Sequence, residues 1–435
     1  LIQPRVSFNY DATSMFGDRV VDATIRGGRG LFLGRIPRVW YGNAYSRSGG
    51  LTDYNRFRSY SDVIGPMPAS STADPHFFWL GSTSNYEVRS AWYGDAQGTD
   101  PGFEAPSSWR TNIALDLLTA KGYDFTVEYN RDQINEGVFY QDLGITQTGT
   151  LADGRGTYTG AGDFWLSNTE LGDTEAITFI MKKEWNDVKF MTAYTNMDAS
   201  DVYALTSAQA ESAYGYQQRW DGENMSANRS SFMVEHKFLA TLDYTTQLLG
   251  DNDTRFSLVF VRKAGEPYSV VFDEPGYNSV TGNSRFYADY SLAYIPTGAS
   301  DPNVSFTSAA VATAVMAHVN STGLSGYKGS HVPKNAFNSP WYSRLDLRIT
   351  QDIKVFGDTK LVVFLDMLNL LNMIDDEKGI VREYSYNNSR QIIVDGVTST
   401  GQFIISGVDP DDSLWIQNND GQSAWNINLG FKYQF

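Results

Sequence analysis

The chain has 435 residues, no cysteine and a formal charge of −16, from 34 Lys and Arg against 50 Asp and Glu. A nucleic-acid binder needs a basic face to displace counterions, so the charge balance disfavours that class. The lack of cysteine removes disulfide frameworks and thiolate metal sites, and suits passage through an oxidising compartment.

Aromatic residues are 14% of the chain, mostly Tyr and Phe, which fits strands with interfacial aromatic girdles and many turns. No window approaches the roughly 20 apolar residues of a membrane-spanning helix. The richest run, Leu361 to Leu371, is broken by Asp366 and Asn369. Period-two alternation is the dominant signal. Taken in chain order, strands are expected over 2–10 and 18–26. Next comes 108–118, where Ile113, Leu115 and Leu117 alternate with Asn112, Ala114 and Asp116. In 123–133, Tyr123, Phe125, Val127 and Tyr129 share one face, and Asp124, Thr126, Glu128 and Asn130 the other. Strands over 174–184, 188–198, 230–245, 254–263 and 267–273 follow. In 286–294, Phe286, Ala288, Tyr290, Leu292 and Tyr294 alternate with Tyr287, Asp289, Ser291 and Ala293. The Ala-rich stretch Ser305–Asn320 has helical composition and reads as a short helix packed on outer loops. In 343–353, Leu345, Leu347 and Ile349 oppose Arg344, Asp346 and Arg348. Strand 359–371, a hairpin within 380–406 and strand 425–435 complete the chain.

These segments run about 9–11 residues, the span of a tilted strand across a bilayer, against roughly 5–6 for an ordinary strand. Their connections alternate in length. Asp11–Gly17, Thr119–Gly122, Trp185–Asp187, Leu249–Asp253 and Lys354–Asp358 are short, and 27–107, 134–173, 199–229, 295–342 and 372–424 are long. Outer-membrane barrels have short periplasmic turns and long extracellular loops. The expected fold class is therefore all-β, a transmembrane antiparallel β-barrel with about 13 strands in this chain. An odd count starting on a descending strand departs from the even-numbered bacterial rule, and thirteen strands would leave two open edges in lipid. Leu1-Ile-Gln-Pro-Arg begins directly in strand-like sequence with no signal peptide, so processing or an upstream region is implied. The chain reads as the carboxyl-terminal portion, residues 1–435, of a plugged barrel of about 22 strands.

Trp425, Ile427, Leu429, Phe431, Tyr433 and Phe435 place large apolar residues at alternate positions up to an aromatic terminus. In water that would be an exposed, sticky edge. In a barrel lipid covers it, and the pattern looks like the signal read by the barrel-assembly machinery of a Gram-negative bacterium.

Further stretches carry a family resemblance. They are Gln3-Pro-Arg-Val-Ser-Phe-Asn-Tyr10, Thr24 to Pro37 and Val39 to Ser46. Later come Val332 to Trp341 with Arg344-Leu-Asp-Leu-Arg348, and Phe364-Leu-Asp-Met-Leu-Asn-Leu-Leu-Asn372. The chain resembles the barrel domains of TonB-dependent outer-membrane transporters, especially the Oar-like group with an N-terminal carboxypeptidase-regulatory-like domain. No TonB box, plug or regulatory-like domain is present in this sequence. The resemblance implies coupling to the TonB energising complex through a plug outside this chain, contact with outer-membrane lipid, and an extracellular solute.

Other motifs have plainer readings. Gly27-Gly-Arg-Gly30 lacks the Gly-Lys-Ser/Thr ending of a phosphate loop, so a strand-end loop is expected. Ser325-Gly-Tyr-Lys328 has no partner motif for serine acyl chemistry. His76, His236, His318 and His331 lack metal-ligand spacing, with His236 on a strand near a membrane interface. Asp251-Asn-Asp253 and Asp409–Asp412 offer Ca²⁺ oxygens without an EF-hand pattern, so solvated turns are expected and no cofactor is assigned. The functional candidates are the lumen- or plug-facing charges Asp116, Glu128, Arg344, Asp346, Arg348 and Asp366, although the strand of Asp366 has apolar residues on both faces. Their plainer role is structural charge pairing. The expected function is transport of a bulky solute. The alternative is a surface binding or adhesion protein whose acidic loops engage a partner. An outer-membrane enzyme would need a Ser/His/Asp-type cluster, and none is evident.

Overall fold

The computed structural model describes residues 2–46, 97–160, 162–202, 205, 207, 209–221, 226–273, 280, 290–357, 359–409, 415–417 and 421–435. His76, Phe286, Tyr287, Ala288 and Asp289 lie outside these, as do residues 410–412 of the second acidic stretch. The chain is all-β in its framework, and no described helix is long and apolar enough to cross a membrane.

Eleven strands follow one another in an antiparallel wall. They are Arg5–Asp11, Val20–Leu33, Ser107–Thr119, Tyr123–Asp142, Asp173–Glu184, Val188–Asp201, His236–Leu249, Asn252–Lys263, Tyr342–Phe356, Thr359–Leu368 and Asn426–Gln434. Successive side chains of a strand point to opposite faces, so register decides what each face carries. One row across the wall reads Phe190, Leu242, Leu258, Leu347, Met367 and Ile427. The row beside it reads Asp243, Ser257, Arg348, Asp366 and Asn428. Nearer the amino-terminal edge, Tyr10, Ile25, Leu115, Val127, Phe179, Tyr194 and Phe238 form another apolar row. The expected alternation thus holds from strand to strand. Its direction of burial is the reverse of a globular sheet, because Phe179 is 45% exposed, Leu429 75% and Phe431 77%.

Short connections join alternate strand pairs, so they all fall at one end of the antiparallel wall and the long ones at the other. Among the described residues, the first and last wall strands each pair on one side only. Two wall glycines lie beneath aromatic rings of the neighbouring strand. A Cβ at Gly430 would clash with the Phe364 ring, and one at Gly27 would come within 2.9 Å of Phe8. The ring covers backbone that a side chain would otherwise shield.

Several expectations need correction. Among the described residues the wall runs through eleven strands, not the thirteen expected. Pro267–Asp273 is a strand, but it pairs with Asn388–Val397 in a second sheet, and Asn252–Lys263 pairs directly with Tyr342–Phe356. Residues 290–294 also leave the wall: Ser291 bridges Arg219, Leu292 bridges Val271, and Tyr294 pairs with His331. Removing both strands leaves the parity unchanged. The strand expected over 230–245 begins at His236, and that expected to reach residue 371 stops at Leu368, before the short helix Leu370–Ile374. Gly27–Gly30 is not a strand-end loop. It lies inside Val20–Leu33, where the run of glycines lets Phe8 and Arg5 of the first strand pack closely.

The long connections build a cap with its own core. A five-stranded sheet runs Val304–Phe306, Phe403–Val408, Asn388–Val397, Pro267–Asp273 and Phe337–Asn338. The hairpin expected within 380–406 is its Asn388–Val397 and Phe403–Val408 pair. The expected helix spans Ala309–Ser321, started by Ser308, whose hydroxyl accepts the Val311 amide at 3.2 Å. It buries Ala312, Val315 and Val319, and the two valines join a core with Val270, Phe272, Ile392, Val394, Phe403 and Ile405. Leu151 joins this core from the loop between Tyr123–Asp142 and Asp173–Glu184. A second cluster, around Tyr140, Phe164, Leu166 and Tyr214, joins that loop to the one after Val188–Asp201.

Candidate functional site

The polar face of the wall carries all six charges singled out in the sequence, in two groups near opposite edges. Near the amino-terminal edge, Asp116 and Glu128 are brought together by Arg26. Its Nε donates to Asp116 at 2.8 Å and its Nη2 to Glu128 at 2.9 Å. The Thr126 hydroxyl donates to the other Asp116 oxygen at 2.6 Å. Arg26 was not among the sequence candidates, although it falls on the same face as Thr24 in the expected strand.

Near the other edge, Arg348 grips Asp366 with two parallel bonds of 2.5 and 2.7 Å, the bidentate geometry that fits guanidinium to carboxylate. The Arg348 guanidinium also lies 5.2 Å from the Phe364 ring, so Gly430, Phe364, Arg348 and Asp366 form one stack. This settles Asp366 on the polar face despite the apolar residues around it. Arg344 pairs along its own strand with Asp346 at 2.7 Å, and Asp346 accepts the Asn369 amide at 2.7 Å. A further cluster missed in the sequence sets Asp352 between Lys360 at 2.9 Å and Arg255 at 3.3 Å. Alternation could have found it, since Asp352 continues the parity of Arg348. Arg26, Asp116, Glu128, Arg344 and Asp346 stay within reach of water, so each of their pairs contributes within about 1 kcal/mol, whereas Asp352 and Asp366 are more enclosed, at 12% and 13% side-chain exposure.

At the end bearing the long connections, the apolar face finishes in an aromatic and cationic patch. His236 stacks on Trp341 with ring centres 5.8 Å apart and on Tyr194 at 6.2 Å, and Arg262 lies 5.3 Å over Trp341. Amphipathic rings of this kind suit a boundary between apolar and wet surroundings.

The cap holds its charges differently. Arg155 is fully buried, pairs with Asp153 at 2.8 Å, and donates to the Leu292 carbonyl at 3.0 Å. Its guanidinium lies 4.9 Å from the Phe403 ring and 5.5 Å from Phe272. Lys334, also buried, reaches Asp201 at 3.3 Å. Asp301 accepts the amides of Thr297 at 2.7 Å and Asn303 at 2.8 Å, and the Thr297 and Tyr294 hydroxyls. Burial alone would raise the Asp301 pKa, but these donors outweigh it and hold the carboxyl below its usual range. Burial, despite an opposing bond from Asn303, pushes Tyr294 up to about 12, so its hydroxyl remains a donor to Asp301.

The terminal-strand residues Trp425, Ile427, Leu429, Phe431, Tyr433 and Phe435 are all exposed, and the four within Asn426–Gln434 continue the apolar rows. No group of three or more His, Asp or Glu that could hold a metal ion occurs among the described residues.

No family model matches the chain, and no curated protein matches it. Among solved structures it is similar to two mutants of the ferric enterobactin receptor from Pseudomonas aeruginosa. Each is 10% identical with a TM-score of 0.40, over 99% of this chain and 39% of the receptor chain. The chain therefore spans well under half the length of those receptors.

Proposed function

We propose that this chain is the carboxyl-terminal wall and cap of an outer-membrane transporter in a Gram-negative bacterium. The observation that carries the reading is the reversed sheet. Rows such as Phe190 to Ile427 turn large apolar residues outward, while ion pairs occupy the opposite face. In water such a face would drive aggregation, whereas a bilayer covers it and a wet or plug-filled lumen accommodates the charges. On this reading the long connections are extracellular and Phe435 is periplasmic. The two singly paired wall edges are completed by further strands of the same barrel, of about 22 in all.

The terminal strand then serves as the barrel-assembly signal, and the polar-face residues Asp116, Glu128, Arg344, Asp346, Arg348 and Asp366 contact a plug or line the path. Energy comes from the TonB complex acting on that plug, and the sequence resemblance to the Oar-like group supports this part. The test is outer-membrane fractionation of the gene product, followed by uptake or export measured with and without the proton-motive force. Recovery in the soluble fraction removes the membrane assignment, and transport indifferent to the energy source removes the TonB part.

The folded cap favours a second reading, in which the barrel anchors a surface binding or adhesion module. Deleting the cap while retaining the wall separates the two. An adhesion protein loses partner binding with no change in any solute flux.

A further inference from the structure

The cap contains a cavity of about 180 Å³ that the transport reading leaves unused. Its wall includes Gln217, Gln218, Arg219, Trp220, Asn228 and Lys334. The chain carries 50 acidic residues, yet no Asp or Glu is among the described residues lining this space. Two of the lining groups are buried cations, Lys334 at 2% exposure and Arg219 at 7%.

Three of the wall groups are fixed from behind. The Arg219 amide donates to the Tyr290 carbonyl at 3.1 Å, and its own carbonyl accepts the Leu292 amide at 3.0 Å. The Arg219 guanidinium lies 4.1 Å over the Tyr214 ring and donates to the Tyr214 carbonyl. Gln218 is anchored to Asn388 at 2.6 Å and to the Tyr386 carbonyl at 3.0 Å. Trp220 stacks on His331 at 5.3 Å and donates its indole N–H to Asp153 at 3.2 Å. These three side chains are therefore positioned before any ligand arrives, which lowers the cost of binding.

The electrostatics favour a negative occupant. Burial pushes the Lys334 ammonium below its usual range; Asp201 opposes this, and the nearby Arg219 charge adds to it. Asp201 already compensates Lys334 in part, and an anion beside Lys334 and Arg219 adds to that compensation. Ser226 at the lining is exposed and Asn228 is half-buried, which gives the space a way out to solvent.

We propose that this cavity binds a compact oxyanion, a carboxylate or phosphate group on a small molecule. Lys334 and Arg219 are the charged contacts, Asn228 and Gln217 the amide contacts, and Trp220 the flat wall. A cavity of about 150 Å³ holds a benzene-sized molecule, which sets the scale of the ligand. The site goes beyond the transport reading and holds equally for an adhesion cap.

The test is titration calorimetry on the full-length gene product folded in detergent, with inorganic phosphate and succinate in separate arms and succinamide as the neutral control. One saturable site for phosphate or for succinate, and none for succinamide, is expected, and the responding arm identifies the anion. Asn228→Asp puts a like charge into the cavity with almost no change in volume, and should weaken binding at least about tenfold. Lys334→Gln combined with Asp201→Asn removes the cation without stranding its partner, and should weaken binding similarly. No saturable heat from either anion, or binding by Asn228→Asp equal to that of the unmodified chain, overturns the proposal.

Discussion

The wall pairs Arg348 with Asp366 at 56% and 13% side-chain exposure, whereas the cap seals Arg155 and Asp153 at 0% and 3%. The contact distances are similar, 2.5 and 2.8 Å, but the energetics differ. In the wall, water screens the pair and loss of one member is partly repaired by solvent. In the cap, loss of one member leaves a bare charge among Phe272, Phe403 and Leu151, where no solvent can compensate. The same contrast applies to apolar groups. The cap hides Val270, Phe272 and Phe403 as a globular protein does, and the wall turns Phe179, Leu429 and Phe431 outward. One chain therefore folds by two rules, set by which solvent each region meets.

The sharpest way to break this comparison is Arg155→Ala. It should cost about 3–5 kcal/mol by stranding Asp153, read as protease cutting within the cap while the wall stays resistant. Arg155→Met with Asp153→Leu should recover most of that loss, and an unchanged digestion pattern in the single variant would contradict the account. On the wall, Leu347→Arg against Thr350→Arg compares the two faces within one strand. The first should cost about 2–4 kcal/mol in lipid vesicles, as expected for a cation on a lipid face, and the second little. Equal urea midpoints would remove the membrane assignment of the apolar face.

A smaller effect follows from Asp301. Its folded pKa is depressed, so its contribution is fully present above the unfolded carboxylate pKa and is lost as pH falls through the folded value. Asp301→Asn should lower cap stability by about 1–2 kcal/mol at neutral pH and flatten the acid limb of the unfolding profile. An acid limb identical to the parent's assigns the sensitivity elsewhere. The smallest effect is expected for Arg26→Ala. Its loss should stay within about 1 kcal/mol and shrink further at high salt, because its bonds to Asp116 and Glu128 are screened. A loss comparable to that of Arg155→Ala would show that the wall pairs are sealed from water.

The wall was legible because a strand side chain has only two directions, so alternation assigns faces without any knowledge of neighbours. That reasoning located Asp116, Glu128, Arg344, Asp346 and Arg348, and it would have reached Arg26 had the parity of Thr24 been followed. It failed at Pro267–Asp273, a strand whose residues are mostly buried on both faces. An apolar run of that kind looks the same whether lipid or a second sheet covers it.

Sequence by itself determined the all-β framework, the two-faced strands, a helix within Ser305–Asn320 and the alternation of short and long connections, since each follows from local periodicity or composition. Only tertiary structure decided that residues 267–273 and 290–294 leave the wall and that Asp366 faces Arg348. It also decided that Arg155, Arg219 and Lys334 are buried. Burial of a long cation depends on loops far apart in the chain closing over it, and no local pattern records that closure.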